Sequence, residues 1–168
     1  MSIVLAASLV ALQGVTLVEG PQADSSGLAA EYGSGVCRIS VFGKDNDGER
    51  IRAEVSNRLR DGNLALRMTG PFVSKFRGED NETNHPMTVK FDSGTSAPSR
   101  SGGYNTGSFR EYVWGGWGAG EASDVMYEGF ADASSFTVEI DGNSYGPFTW
   151  EGKGAVYNAM EKCSDDNS

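Results

Sequence analysis

The sequence predicts a mainly β domain of the α+β class: an antiparallel sheet or β-sandwich of about seven to eight strands, with one short internal helix and a C-terminal helix. Three observations support this fold class. The 23 glycines separate short runs of β-branched and aromatic residues, several of those runs alternate with a period of two, and the last segment changes to helical spacing. At 168 residues, the chain has the length of one domain.

Period-two alternation is clearest at 36–42, where Cys37, Ile39 and Val41 share one face. Turn residues such as Asn46-Asp47-Gly48 and Asp141-Gly142 separate the strands and predict hairpins. The further predicted strands are 51–59, 64–68, 71–76, 87–91, 110–114, 136–140 and 145–150.

Two helices are predicted in the second half of the chain. Ser123 is a candidate N-cap for a short helix at about 124–133, and Val156, Met160 and Cys163 recur at helical spacing in a final helix. The Ser- and Gly-rich stretch near 92–108 lacks apolar periodicity, so it is predicted to be a flexible loop inside a single domain spanning 24–168.

The N-terminus has the composition of an export signal. Residues 1–18 carry no charge, and the apolar run 3–12 has the length of a signal-peptide core, so we expect a signal peptide or N-terminal apolar segment at 1–23. A buried N-terminal element or a short membrane anchor are the alternatives. The run is short for the roughly 20 residues that a membrane span requires, and we expect no stable span in the mature chain.

The two cysteines fit an exported protein. Cys37 opens the first clear strand and Cys163 lies near the C-terminus, so a disulfide between them would tie the ends of the fold together. Two unrelated buried thiols are the alternative. Export and a disulfide together predict a periplasmic or extracellular location.

The charges make nucleic acid an unexpected partner, because 14 basic and 23 acidic residues give a net charge of −9. Residues 38–110 carry 12 basic and 9 acidic groups, and 111–168 carry 2 and 11, so the two parts have charges of +3 and −9. Solvated faces explain this difference most simply, while domain closure or an oligomer contact are alternatives. One histidine and two cysteines disfavour most soft-ligand metal centres, and no cofactor is expected.

The sequence signal for a metal site is weak. Asp45, Asp47 and Glu49 have the spacing of the first calcium-loop ligands, but Arg50 and Ser56 occupy the positions that would require Gly and Glu. A hairpin turn explains the same residues, so we expect no metal site. We assign no catalytic residue: no nucleotide or hydrolase motif is present, no spacing selects a carboxylate pair, and His85 is predicted to be an exposed turn residue.

Aromatic residues in a glycine-rich segment are the best candidate binding residues. Aromatic faces on a loop can stack on sugar rings or anchor a protein partner. The alternative is that the two tryptophans fold back onto the core. The candidates are Tyr104, Tyr112, Trp114 and Trp117.

The C-terminal half resembles small exported proteins of alphaproteobacteria and is similar to the invasion-associated locus B family. The resemblance rests on a helix ending Gly129-Phe130-Ala131, the strand at 136–140 with Asp141-Gly142 after it, and Gly154-Ala155 and Ala159 leading to Cys163. It implies a mainly β extracytoplasmic domain without an established catalytic activity, in which Cys37 would pair with Cys163.

These observations predict an exported, non-enzymatic domain that binds an envelope component or a protein partner through its loops. The expected partners are a protein or an envelope glycan. An envelope enzyme acting on glycan through unidentified carboxylates is one alternative, and a protein inhibitor or immunity factor is another.

Overall fold

The computed structural model of the chain describes residues 28, 30–76, 85–105 and 111–168. Within these residues it has ten strands, two α-helices and one 3₁₀ helix. The strands are β1 (Glu31–Gly33), β2 (Val36–Lys44), β3 (Arg50–Arg58), β4 (Asn63–Thr69), β5 (Met87–Phe91), β6 (Ser96–Pro98), β7 (Ser101–Asn105), β8 (Tyr112–Trp117), β9 (Ser135–Ile140) and β10 (Asn143–Thr149). The helices are the 3₁₀ helix (Pro71–Phe76), α1 (Glu121–Asp132) and α2 (Ala155–Asn167). The predicted mainly β, α+β fold class is therefore confirmed.

The strands form one antiparallel sheet in the order β6-β5-β9-β10-β2-β3-β4-β8-β7, with β1 added to β2. The two ends of this order meet, because Ser99 and Arg100 alone separate β6 from β7 along the chain. The amide of Ser99 donates to the Met87 carbonyl on β5 (2.8 Å), and the amide of Arg100 donates to the Gly116 carbonyl on β8 (2.9 Å). The sheet thus curls until it closes on itself.

The core fills the inside of this closed sheet. Alternate residues of each strand point inward and are buried, as the inward set Ile51, Ala53 and Val55 of β3 illustrates. Helices α1 and α2 contact each other and cover one end, where Phe130 of α1 packs edge-on against Phe91 with ring centroids 5.0 Å apart. At the other end the 3₁₀ helix inserts its apolar side chains between the strands.

A disulfide joins Cys37 on β2 to Cys163 on α2, as the sequence predicts, with the two Cα atoms 6.0 Å apart. Both cysteines are buried in the core. The disulfide therefore fixes the C-terminal helix α2 onto strand β2.

The predicted strand at 71–76 is wrong, because this segment is the 3₁₀ helix. Phe72, Val73 and Phe76 are its buried residues, and their spacing matches a helical face rather than alternation. Phe72 packs on Tyr145 with ring centroids 4.5 Å apart. A short apolar run does not distinguish these two structures from sequence.

The flexible loop predicted near 92–108 is also wrong over much of its length, because 96–98 and 101–105 are strands β6 and β7. A Cβ at Gly102 would overlap the His85 carbonyl oxygen, so this glycine permits a close approach of two backbones. Residues 106–108 lie outside the described residues.

Two predicted boundaries also shift. Strand β8 continues through its two central glycines to Trp117, whereas the sequence predicts an end at 114. Helix α1 begins at Glu121, and Ser123 lies inside its first turn, where its hydroxyl donates to the Gly120 carbonyl (2.8 Å) instead of capping the helix.

The predicted signal segment at 1–23 lies outside the described residues. In the described part of the chain, neither α-helix has the length and apolar character needed to cross a membrane.

Candidate functional site

The outer face of β2, β3, β4 and β8 is strongly basic. These four strands contain six basic residues and one acidic residue, a charge of 6 − 1 = +5, and their burial patterns place all seven side chains outward. By contrast, α1 contains four acidic residues and no basic residue. The charged residues of the face are Arg38, Lys44, Arg50, Arg52, Glu54, Arg58 and Arg67. In the folded protein, the basic residues therefore lie on the outer face of the sheet, and acidic residues lie on the helix at one end of it.

A trough crosses this face at right angles to the strands. Its floor is formed by Ala65 of β4, Gly116 of β8 and Ser101 of β7, which are paired in register from strand to strand. Two spacings between neighbouring strands make this floor about 10 Å long. Because these side chains are small, the larger residues of the adjacent rows stand above them as walls.

The walls of the trough carry cations and an aromatic ring. One wall is formed by Arg67 and Trp114, which are paired across β4 and β8. The other wall is formed by Arg58 and Asn63, which are paired across β3 and β4. The space between them has a volume of about 430 Å³. Arg100 lies beyond the Gly118 end of the trough, with its guanidinium 3.8 Å from the position that a Cβ of Gly118 would occupy, and it lines a separate groove with Glu121.

The indole of Trp114 lies against the sheet backbone. A Cβ at Gly103 on β7 would lie 3.3–3.7 Å from its Nε1, Cε2 and Cζ2 atoms, and one at Gly116 would lie 3.6 Å from Cζ3. The two glycines therefore leave room for the ring to lie close over both strands. Because Trp114 is half-buried, the rest of the indole is accessible from the trough.

A second groove of about 360 Å³ lies on the other side of Arg67. Here the Arg67 guanidinium lies over the Tyr112 ring, 5.2 Å from its centroid. Arg52 pairs with Glu54 at 2.8 Å, and Glu111 lines the same groove. Two arginines and two glutamates balance the charge here, whereas the trough has cationic walls.

The four aromatic residues predicted to bind a ligand do not form one loop. All four lie on β7 or β8. Tyr112 and Trp114 face the basic outer surface, but Tyr104 and Trp117 are buried in the core. The Trp117 indole donates from Nε1 to the Ala97 carbonyl (3.3 Å), so this side chain is part of the core packing.

The acidic residues considered as metal ligands close a turn. One carboxylate oxygen of Asp45 accepts the backbone amides of Asp47 (3.0 Å) and Glu49 (2.9 Å), and the Asp47 carboxylate lies 3.3 Å from the Lys75 ammonium. In the described ranges, with their gaps at 77–84 and 106–110, no group of three or more metal-binding side chains is found.

His85 is not the exposed turn residue that the sequence predicts, because its side chain is 13% exposed. Its Nδ1 lies 2.9 Å from the Asp141 carboxylate, and its Nε2 lies 3.3 Å from the Tyr104 hydroxyl. In the tautomer with hydrogen on Nδ1, that nitrogen donates to the carboxylate and Nε2 accepts a hydrogen bond from the tyrosine hydroxyl. These contacts join the buried Tyr104 of β7 and the β9–β10 turn to His85, two residues before β5.

Sequence reasoning missed the trough, although part of its signal was present. Alternation in β3 and β4 places Arg58, Ala65 and Arg67 on the face opposite the apolar residues. The alignment of Ala65 with Gly116 depends on the pairing of β4 with β8, which are far apart in sequence. Alternation alone does not establish that pairing.

Comparison with known proteins gives no relative: no protein-family model, no curated protein and no solved structure matches the chain. The similarity to the invasion-associated locus B family therefore stays a prediction.

Proposed function

We propose that this protein is an exported, non-enzymatic binding domain that holds a saccharide of the cell envelope in the trough, with Trp114 as the stacking surface. The observation that carries the proposal is the position of Trp114, whose indole lies over Gly103 and Gly116 at the edge of an open groove. The ligand is then an envelope glycan, and the outer face of the sheet binds it instead of the loops.

The side chains around Trp114 suit the chemistry of a sugar. A pyranose ring has a face of C–H groups, which packs on an aromatic surface, and a rim of hydroxyls, which need hydrogen-bond partners. Asn63, Ser101 and Arg67 line the trough and offer such partners. The trough thus combines one apolar surface with several polar groups, as small-ligand sites do.

Export is supported by the disulfide between Cys37 and Cys163. Such bonds persist in oxidising compartments, including the bacterial periplasm and the extracellular space. A glycan of the envelope would be accessible to the protein in either place.

The test is a binding titration of the full chain with defined oligosaccharides from bacterial envelopes. Binding is measured by calorimetry and by tryptophan fluorescence. We expect at least one saccharide to bind, and we expect Trp114→Ala to weaken it by about tenfold or more. Ala65→Leu, which fills the floor of the trough from the solvent side, should have the same effect.

Phe42→Ala is the matched control, because Phe42 is an exposed aromatic residue on the same face but outside the trough. Its affinity should equal that of the wild type. The proposal is wrong if no saccharide binds, or if Trp114→Ala and Ala65→Leu bind as the wild type does. If the oligosaccharides are shortened after incubation with the protein, the non-enzymatic function is wrong and the protein is a glycan-acting enzyme.

A further inference from the structure

We infer that the saccharide in the trough is acidic, and that Arg67 and Arg58 bind its carboxylate or sulfate groups from opposite walls. This inference rests on the proposed saccharide-binding function. It follows from the charge of the walls, which the stacking surface at Trp114 does not by itself explain.

Arg67 is available to a ligand. Among the described residues it forms no ion pair, because its cross-strand neighbour Glu54 pairs with Arg52 at 2.8 Å. Its guanidinium lies over the Tyr112 ring, 5.2 Å from the centroid, and a ring accepts no N–H hydrogen bond of carboxylate strength, so the guanidinium can donate to a ligand. A guanidinium held in this way presents a planar fork that matches a carboxylate or a sulfate. Its position between Trp114 and the neighbouring groove places an anionic substituent beside the stacked ring.

The opposite wall supplies further positive charge. Arg58 pairs through Nη1 with Asp61 at 3.2 Å, and its side chain remains 53% exposed. An anionic sugar between these walls would meet cations on both sides.

The same features disfavour a long polyanion. The trough is about 10 Å long, and Glu54 and Glu111 line the groove beyond Arg67. The net charge of the chain is −9, so a nucleic acid that extended past the face would be repelled by the rest of the surface. A short ligand with one or a few acidic groups and a sugar ring for Trp114 fits these limits.

The experiment compares acidic oligosaccharides with neutral ones. The acidic probes are tetragalacturonate and a heparin tetrasaccharide, and the neutral partner of the first is the same tetrasaccharide after reduction of its carboxyl groups. We expect at least one acidic probe to bind, about tenfold or more tighter than the reduced tetrasaccharide. This preference should decrease as salt is raised, because exposed charges are screened.

Variants locate the preference in the two walls. Arg67→Gln and Arg58→Gln should each lower the affinity for the acidic probe by more than they lower the affinity for the neutral tetrasaccharide, so that most of the preference for the acidic probe is lost. Arg67→Lys should restore it only in part, since a lysine cannot form the bidentate contact. Arg50→Gln is the control, because Arg50 lies on the same strand and face as Arg58 but eight residues away, about 26 Å along β3.

The outcomes separate this inference from the proposed function. Equal binding of the acidic and reduced tetrasaccharides, or a loss in Arg50→Gln equal to that in Arg67→Gln, overturns the acidic ligand and leaves the saccharide-binding function intact. Absence of binding to any saccharide, neutral or acidic, overturns both. If a ten-nucleotide deoxythymidine strand binds tighter than every acidic saccharide, the ligand is a nucleic acid and the inference is wrong.

Discussion

Trp114 and Trp117 lie three residues apart on β8 and face opposite sides of the sheet. Trp117 is fully buried, and its indole fills the core beneath the trough. Trp114 lies over the outer surface. The two side chains therefore offer a matched pair of substitutions on one strand, one that tests the core and one that tests the candidate site.

We expect Trp117→Ala to lower the free energy of unfolding by about 3 to 5 kcal/mol, because it removes a large buried ring and leaves a cavity. Trp114→Ala should cost about 1 kcal/mol or less, since half-buried surface is lost without a cavity in the core. Urea denaturation of the two variants measures both values. Equal losses would contradict the assignment of the two rings to opposite faces.

The disulfide gives a second prediction. It closes a separation of 126 residues, for which the chain-entropy relation gives a stabilisation of roughly 5 kcal/mol. Replacing both Cys37 and Cys163 with serine should therefore lower the melting temperature markedly. Wild-type protein treated with a reductant should show nearly the same lower value, and an unchanged melting temperature in both samples would contradict the prediction.

A third prediction concerns the contact between α1 and the sheet. A Cβ at Gly129 would overlap the Phe91 ring, which is also packed by Phe130. Gly129→Ala gains about 1 kcal/mol of helix propensity, but overpacking of the core costs about 1 to 3 kcal/mol. The expected result is a net loss of stability.

Glu128→Ala is the control for this prediction, because Glu128 is the exposed neighbouring residue of the same helix. Chemical denaturation should show a change of within about 0.5 kcal/mol for this variant. A stabilised Gly129→Ala protein would mean that α1 can move away from Phe91 without cost.

The fourth prediction concerns alkaline pH. Burial, together with the nearby Glu161 carboxylate, raises the pKa of Tyr127 from 10.0 to about 12. Below pH 10 the phenol is protonated in both the folded and the unfolded chain, so its contribution to stability is complete. As pH rises from 10 through about 12, the unfolded chain loses this proton more readily, and the contribution is lost.

Tyr127→Phe should therefore reduce the decline in stability between pH 10 and 12, as measured by urea denaturation at each pH. Tyr32→Phe is the matched control, because Tyr32 is an exposed tyrosine on β1. Identical pH profiles for wild type and Tyr127→Phe would contradict the prediction.

Alternation was sufficient to predict much of the sheet. The strands containing Ile39 and Val138 each have one apolar face, and the structure places both where the sequence predicts them. The segment 101–105 was missed because Gly102 and Gly103 give it the composition of a loop. The reason for those glycines is the approach of His85 and Trp114, which are distant in sequence.

The candidate site was predicted only in part, for a related reason. Aromatic residue type and local spacing pointed to Tyr112 and Trp114, which lie on the outer face, but equally to Tyr104 and Trp117, which lie in the core. The glycine-rich composition predicts a loop where the chain forms strands, and only the alternation of β8 separates the outward Trp114 from the inward Trp117. The alignment of strands into a trough follows from long-range pairing, which one sequence does not reveal.

The bond between β2 and α2 also sets an order of events during biosynthesis. Ribosomes make the chain from the N-terminus, so Cys37 is complete 126 residues before its partner exists. Until Cys163 follows, the first thiol has no intramolecular disulfide to form, and it can exchange with any other thiol or disulfide that it meets. Oxidative closure is therefore a late step, which the chain can complete once both edges of its sheet have been synthesised.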